Sequence, residues 1–210
     1  MTIQMRLSQL RRHNHFYVTR AIRIICMFSM LSMSACSDFG SQGRRWTEDV
    51  QLDDSRIIRI EREVQFKESN AMGGGAYNAV ETSSIIKFTG ELAELPPWKD
   101  SLRALVLYFD TSNTEWVVVA TTTSCEVWFA RGKPRPMYWE YRLRGERWQE
   151  TPLASTSIGR ETNLFHLYEK PLEKKHITVE ERSRLQSNPR IAREYRSIIS
   201  DKENNCMGSP

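Results

Sequence analysis

The chain has 210 residues, 27% of them charged, and a formal net charge of +4 at pH 7. This length is sufficient for one domain with a buried core. The first 35 residues contain five arginines and no acidic side chain, so from Cys36 onward 25 basic side chains stand against 26 acidic ones. This near-neutral balance removes the electrostatic attraction on which nucleic-acid binding depends, and it excludes that class of function.

The first 35 residues have the three parts of a secretory signal peptide. A basic stretch ends at Arg23, an apolar run extends from Ile24 to Met33, and the small residues Ser34 and Ala35 follow it. The run contains 10 residues, whereas a helix needs about 20 to cross a bilayer. We therefore predict that residues 1–35 are a cleaved signal peptide rather than a permanent transmembrane anchor.

The segment Met33-Ser34-Ala35-Cys36 resembles the lipobox of bacterial lipoproteins. In that family a diacylglyceryl group is attached to the cysteine thiol, the signal is cleaved just before the cysteine, and the new amino end is acylated. The alternative is a chance cysteine at an ordinary signal cleavage site. The resemblance implies that Cys36 is the lipid-attachment residue, carrying palmitate-type chains, and the first residue of the mature protein.

The lipid would also determine where the protein is held. One acyl chain binds a membrane only reversibly, whereas two or three anchor durably. The residue after Cys36 is Ser37, not the Asp that retains many such lipoproteins at the inner membrane. The resemblance therefore implies a cell-envelope protein on the periplasmic face of the outer membrane, with the membrane as its partner through Cys36.

The remaining cysteines and histidines offer few candidate sites. After Cys36 the chain contains Cys125 and Cys206, and an oxidising compartment permits a disulfide between them. The alternative is a buried free Cys125 and an exposed Cys206, and the sequence leaves this choice open. His166 and His176 have no metal-ligand spacing around them, so we predict no metal site and no cofactor.

The body of the chain has the pattern of β-strands. From Trp46, apolar residues recur at every second position, as in a half-buried strand. Asp53-Asp54-Ser55 has the residue types of a turn, so residues 46–52 and 56–66 are predicted to form a hairpin. Further strands are predicted at residues 84–90, 102–111, 115–122 and 125–130, because these segments are rich in β-branched and aromatic residues. Among them, the uninterrupted apolar run at 116–120 indicates a central strand that is covered on both faces.

Two breaks and a second hairpin complete this region. Gly73–Gly75 is predicted to be a loop, and Pro96-Pro97 is a second break. The segment MYWEYRLRGERWQETPL is predicted to be a hairpin with its turn at Gly145. One face is formed by Met137, Trp139, Tyr141 and Leu143, and the other by Tyr138, Glu140, Arg142 and Arg144. The aromatic row is predicted to be a core face rather than a platform for sugar stacking, with Tyr138 directed outward.

Helix signals occur near the C-terminus. Thr178 and Glu181 have the spacing of a capping box. Further on, an apolar stripe of Ile191, Tyr195, Ile198 and Ile199 predicts a second helix, docked on the sheet rather than bound to a partner or a membrane. The predicted organisation is a signal peptide (1–35), a lipidated tether (36–45), a β-rich domain (46–168), a helical extension (169–200) and a disordered tail (201–210).

Several patches resemble a group of uncharacterised proteobacterial lipoproteins. They are WTEDVQLDDSRIIRIEREV, WVVVATTTSCEVWFARGKPRPMYWEYRLRGERWQETPL and TNLF. Members share a Trp-x-Glu-x-Val opening hairpin, a later cysteine, and a Gly-x-Pro-x-Pro-Tyr-like stretch before a hairpin that ends in Trp. The resemblance implies an exported lipoprotein of mostly β structure, and it implies no activity. The predicted fold class is mainly β, an antiparallel hairpin or meander sheet domain with one or two C-terminal α-helices.

The sequence contains no catalytic constellation. His166, Asp110 and Glu169 are single residues without a motif, whereas an enzyme needs an activated nucleophile or a tuned acid–base pair. We therefore predict a binding or structural accessory module, with an envelope protein or a cell-wall component as its partner. The alternative is an envelope hydrolase with an unrecognised site. The candidate binding surfaces are the glycine loop, the outward face of the second hairpin and the helix at 191–199.

Overall fold

The computed structural model describes residues 41–69, 78–122, 124–166, 175–187, 195–200 and 206. The chain is mainly β, as the period-two patterns predict, and its strands form two sheets. The strands are β1 (Ser41–Gln51), β2 (Ile57–Ser69), β3 (Asn78–Phe88), β4 (Trp98–Asp100), β5 (Arg103–Asp110), β6 (Glu115–Thr121), β7 (Trp139–Arg144), β8 (Arg147–Thr151) and β9 (His176–Ile177), and the helices are α1 (Cys125–Ala130) and α2 (Val179–Gln186).

The first sheet has the strand order β4-β3-β2-β1-β9. Its neighbours are antiparallel except β9, which pairs in parallel with β1. β1 and β2 form the predicted first hairpin. β1 begins at Ser41, so the predicted tether of 36–45 is too long by the residues 41–45. These residues extend the strand because β2 is long enough to pair with them, and Arg45 lies opposite Glu63 with an ion pair of 2.7 Å.

The second sheet is an antiparallel meander with the order β5-β6-β7-β8. β7 and β8 form the predicted second hairpin. Because Arg144 pairs with Arg147, the turn consists of Gly145 and Glu146, and Gly145 has a φ of 59°. This positive φ is accessible to glycine at little cost.

The main core lies between the two sheets. It includes all four residues of the predicted aromatic face of the second hairpin, which is therefore confirmed as a core face. Trp98 of the first sheet contacts Tyr141 of the second, with ring centroids 5.5 Å apart and an edge-to-face geometry. The buried side chains of this core include Val50, Ile60, Ile86, Phe88, Leu107, Val118, Met137, Trp139, Leu143 and Leu164.

The outer face of the second sheet is also covered. Residues 116–120 are all buried, as predicted for a strand covered on both faces. The prediction that Tyr138 points outward is wrong, since only 2% of its surface is exposed. It packs in a second apolar cluster with Tyr108, Val117 and Ile198. The cause is the C-terminal segment 195–200, which lies over this face and places the backbone N–H of Ile199 3.4 Å from Tyr138 Oη.

The strand predicted at residues 125–130 is instead helix α1. Its N-cap is Ser124, whose side-chain oxygen accepts a hydrogen bond from the Val127 backbone at 3.3 Å. Such a cap satisfies one of the amide groups that a helix start leaves unpaired. Trp128 provides the buried contact of this short helix, and its indole N–H donates to the Pro134 carbonyl at 3.2 Å.

The C-terminal predictions have mixed outcomes. α2 begins as predicted, with the Thr178 side chain accepting a hydrogen bond from the Glu181 backbone at 3.2 Å. The predicted helix at 191–199 is wrong over 195–199, where the chain forms a short turn and Ser197 bridges to Glu161. Its backbone pairs with residues 159–162 instead of with itself. Residues 191–194 of that prediction lie outside the described residues.

Candidate functional site

Several predicted site residues cannot be placed. Cys36, the Gly73–Gly75 loop and Glu169 lie outside the described residues. Cys125 and Cys206 are joined by a disulfide, with their Cα atoms 5.3 Å apart. This bond attaches residue 206 of the predicted disordered tail to α1.

His166 is a buried histidine, with 1% of its surface exposed. The Gln186 side-chain amide nitrogen lies 3.0 Å from His166 Nδ1 and 3.1 Å from the Leu164 carbonyl. The imidazole also stacks on Tyr195, with ring centroids 5.8 Å apart. These contacts connect α2 to the segment that follows residue 160, so His166 has a structural environment rather than access to a substrate.

Asp110 belongs to a separate ionic network. Arg142 donates a hydrogen bond of 2.8 Å to its Oδ2, and Asn113 donates a second. These bonds lower the pKa of Asp110 to about 2. Arg142 also contacts Glu115 and the buried Glu140. A carboxyl group with this pKa remains ionised near neutral pH, so Asp110 is not suited to proton transfer there.

A buried ion pair on the first sheet was missed by the sequence reasoning. Glu48 and Arg62 are both fully buried, and Arg62 Nη1 donates to Glu48 Oε1 at 2.9 Å. The Arg62 guanidinium also lies 5.5 Å from the centre of the Trp46 ring. The alternating pattern could have indicated their burial. Glu48 and Arg62 are each two positions from a buried residue, Trp46 and Ile60, and therefore lie on the same strand face.

The segment Thr162-Asn163-Leu164-Phe165 joins the two sheets. The Asn163 side chain donates to the carbonyls of Gln51 in β1 and Leu107 in β5. Its Oδ1 accepts a hydrogen bond of 2.8 Å from the Leu107 backbone. Phe165 then donates its backbone N–H to Glu48 Oε2 at 2.8 Å. The residues of this motif and of the opening Trp-x-Glu-x-Val motif therefore meet in the core, where they have structural contacts.

Beside this junction lies an open groove of about 680 Å³. We call it the α2 groove. Its size is within the range of about 300–1,000 Å³ that small-molecule sites occupy. Its walls come from the end of β1, the segment 160–163, α2 and residues 196–197. The lining residues are predominantly polar: Gln51, Leu52, Asp53, Val106, Arg160, Glu161, Thr162, Asn163, Arg182, Ser183, Gln186, Ser187, Arg196 and Ser197.

Arg182 is the buried cation of the α2 groove, with 5% of its surface exposed. Its Nη1 donates a hydrogen bond of 3.0 Å to the Asp49 carbonyl. Burial lowers the pKa of its guanidinium, although the nearby carboxylates of Glu48 and Glu180 oppose this effect. In the part of the chain that the structure describes, no carboxylate oxygen lies within ion-pair distance of Arg182.

Arg160, by contrast, is paired with a carboxylate. Its Nη1 donates to Asp53 Oδ2, its Nε donates to the Thr156 carbonyl at 2.9 Å, and its guanidinium lies 3.7 Å from the centre of the Tyr108 ring. Arg196 is exposed, and its side chain forms no ion pair with any described residue. The α2 groove thus combines one neutralised cation with two cations that have no bound carboxylate.

No family model, curated protein or solved structure matches this chain. Over the described ranges, no group of three or more His, Cys, Asp or Glu residues has the geometry to hold a metal ion. The helices that the structure describes include none long and apolar enough to cross a membrane. Function is therefore inferred from the chemistry of the N-terminal sequence and of the α2 groove.

Proposed function

We propose that the protein is a lipid-anchored component of the cell envelope with a binding or accessory role. The observation that carries this proposal is the sequence Met33-Ser34-Ala35-Cys36 at the end of a short apolar run. Acyl chains on Cys36 would hold the domain at the periplasmic face of the outer membrane. The domain itself is a hairpin meander followed by the C-terminal helix α2.

The Cys125–Cys206 disulfide supports an exported location. Disulfides persist in oxidising compartments such as the bacterial periplasm and are rare in the cytosol. The two cysteines are 81 positions apart in the chain. A bond across such a long loop stabilises a folded domain outside the reducing interior of the cell.

A binding role is favoured over hydrolysis because the closest serine–carboxylate pair is buried and the described residues of the open groove include no such pair. Ser157 Oγ lies 2.6 Å from Glu140 Oε2, but both side chains are fully buried and cannot reach a substrate. The α2 groove is open to solvent and is lined by donors and acceptors rather than by an activated nucleophile with its base. We therefore infer that the domain binds a hydrophilic molecule in this groove.

Metabolic labelling with a fatty-acid probe tests the anchor. We expect the wild-type protein to take up the label, and Cys36→Ala to lose it and remain as an unprocessed precursor. Cys26→Ala is the matched control, because Cys26 lies in the predicted signal peptide and its loss should leave labelling unchanged. Continued labelling and normal processing of Cys36→Ala would overturn the proposal.

A further inference from the structure

The geometry of the α2 groove points to a small anionic ligand that also carries hydroxyl groups. We propose that Arg182 binds the carboxylate or phosphate of this ligand and that Arg196 adds a second positive charge at the rim. This inference rests on the proposed binding role and names the ligand class. An acidic sugar and a sugar phosphate share the required chemistry.

The buried guanidinium of Arg182 has few hydrogen-bond partners among the described residues. A charged side chain removed from water is stabilised by a carboxylate partner or by hydrogen bonds to its donors. Within the described ranges, the Arg182 side chain has one hydrogen bond, to the Asp49 backbone carbonyl. A guanidinium has five N–H donors in a planar fork that matches a carboxylate or a phosphate. An anion in the groove would occupy the guanidinium donors that have no partner among the described residues.

The charged side chains that line the groove have a positive balance. Arg160 and Asp53 neutralise one another within the groove wall. The remaining charged lining residues are Arg182, Arg196 and Glu161, which carry a net charge of +1. This balance attracts an anion and repels a cation of similar size.

The other walls of the groove are mostly polar. Among the polar lining residues, Thr162, Gln186 and Ser187 use their side chains in hydrogen bonds to neighbouring protein groups. Ser183 and Ser197 also line the groove, and their hydroxyl groups have no hydrogen bond to the described residues. They suit a ligand that carries its own hydroxyl groups. None of the described lining residues is aromatic, so the groove lacks the stacking surface that favours neutral sugars. Anionic recognition is therefore the main source of affinity.

Isothermal titration calorimetry on the detergent-purified full-length protein tests this inference. The probes are galacturonate and glucose 6-phosphate, with galactose and glucose as their uncharged counterparts. We expect at least one anion to bind and its uncharged counterpart to show no binding. The anion that binds identifies the recognised group as a carboxylate or a phosphate, and its affinity should fall as the salt concentration rises.

Three variants separate the arginines. Arg182→Gln should weaken binding by about tenfold or more, because it removes charged hydrogen bonds. Arg184→Gln is the matched control, since Arg184 lies exposed on the same helix and does not line the groove. Arg196→Gln should weaken binding severalfold. If circular dichroism shows that Arg182→Gln is unfolded, the affinity of Arg196→Gln tests the inference instead. Arg196 is exposed, so its replacement should leave the fold intact.

Three results would overturn the inference: equal binding of the acids and their uncharged counterparts, absence of binding by both acids, or unchanged affinity in the folded arginine variants. These results are independent of the anchor, which is measured by labelling at Cys36. Failure of the ligand class can therefore be distinguished from failure of the proposed envelope location.

Discussion

Glu48 and Arg62 place two opposite charges in the interior, on the sheet face that also buries Trp46, Ile60 and Val64. Burial raises the pKa of Glu48, while the guanidinium of Arg62 and the N–H of Phe165 oppose the increase. A buried pair of this kind adds little net stability, but removal of one partner leaves an uncompensated charge. The pair therefore makes the alignment of β1, β2 and the segment at Phe165 sensitive to single substitutions.

Replacement of Arg62 should be strongly destabilising. We expect Arg62→Met to lower the free energy of unfolding by about 3–5 kcal/mol, because Glu48 would lose its main opposing charge in the core. Arg59→Met is the matched control on the same strand, since Arg59 is exposed and its ion pair with Asp49 is at the surface. The control should lose less than about 1 kcal/mol. Urea denaturation measures both.

The pH dependence of Arg62→Met tests the same mechanism. Without Arg62 the pKa of Glu48 should rise further above its unfolded value. A carboxyl group whose pKa is raised by folding binds more protons in the folded state, so stability falls as the pH rises through that range. The deficit of Arg62→Met relative to wild type should therefore be smaller at about pH 5 than at about pH 8. An equal deficit at both would contradict the assignment.

Asp110 makes the opposite contribution to the pH profile. Its pKa is lowered to about 2 by Arg142 and Asn113, whereas an ordinary Asp has a pKa of about 3.9. Its stabilisation is therefore present above about pH 4 and lost as the pH falls towards 2. Asp110→Asn should cost about 1–3 kcal/mol at neutral pH and flatten the decline in stability below pH 4.

Acid denaturation followed by circular dichroism measures this effect. Glu146→Gln is the control for the loss of one negative charge, because Glu146 lies in the exposed turn between β7 and β8. If the stability of Asp110→Asn declined between about pH 4 and pH 2 as steeply as that of the wild type, Arg142 would not stabilise the Asp110 carboxylate.

At the scale of elements, the C-terminal segment covers the outer face of the second sheet. Ile198 is fully buried against the outer face of that sheet, and the disulfide attaches Cys206 to α1. The segment 195–200 has short backbone contacts with residues 159–162 and little regular structure of its own. The covalent bond therefore limits how far the chain end can move when these contacts open.

Loss of the disulfide should reduce stability. Cys206→Ser is expected to lower the free energy of unfolding by about 2–4 kcal/mol, because the unfolded chain regains the freedom of a long loop. Cys125→Ser should have a similar effect, since either change removes the same bond. Dithiothreitol should destabilise the wild type but neither variant. Equal denaturation midpoints for oxidised wild type and Cys206→Ser would refute this role.

The elements differ in how well the sequence predicts them, for physical reasons. The two hairpins follow from period-two patterns, because alternation reports which face of a strand is buried. The buried β6 follows from an apolar run without alternation, which is typical of a strand covered on both faces. Helix α1 contains Val, Trp and Phe, which are also common in strands, so its composition predicts a strand. The N-cap at Ser124 is the local signal that favours a helix. Tyr195 and Ile198 are apolar because they cover the outer face of the second sheet. A helix docked on that sheet would need apolar residues for the same reason, so composition alone does not distinguish the two structures.

At the scale of the molecule, the fold class was predictable and the α2 groove was not. The mainly β class follows from patterns within single segments. The groove is formed by residues 51–53, 106, 160–163, 182–183, 186–187 and 196–197, which are far apart in the sequence. Local periodicity carries no information on which loops and helices meet at a sheet edge. The candidate ligand residues Arg182 and Arg196 were therefore identified from the structure.

The whole molecule combines a predicted anchor at its N-terminal side with a disulfide-linked β-domain that carries a polar groove. The proposed lipid anchor would place the groove in the cell envelope, so the proposed function depends on it first. Mass spectrometry of the N-terminal peptide from membrane-extracted protein tests it most directly. The expected result is a peptide that begins at Cys36 and carries the mass of diacylglyceryl and acyl groups. A mature chain that begins elsewhere, or an unmodified Cys36, would contradict it.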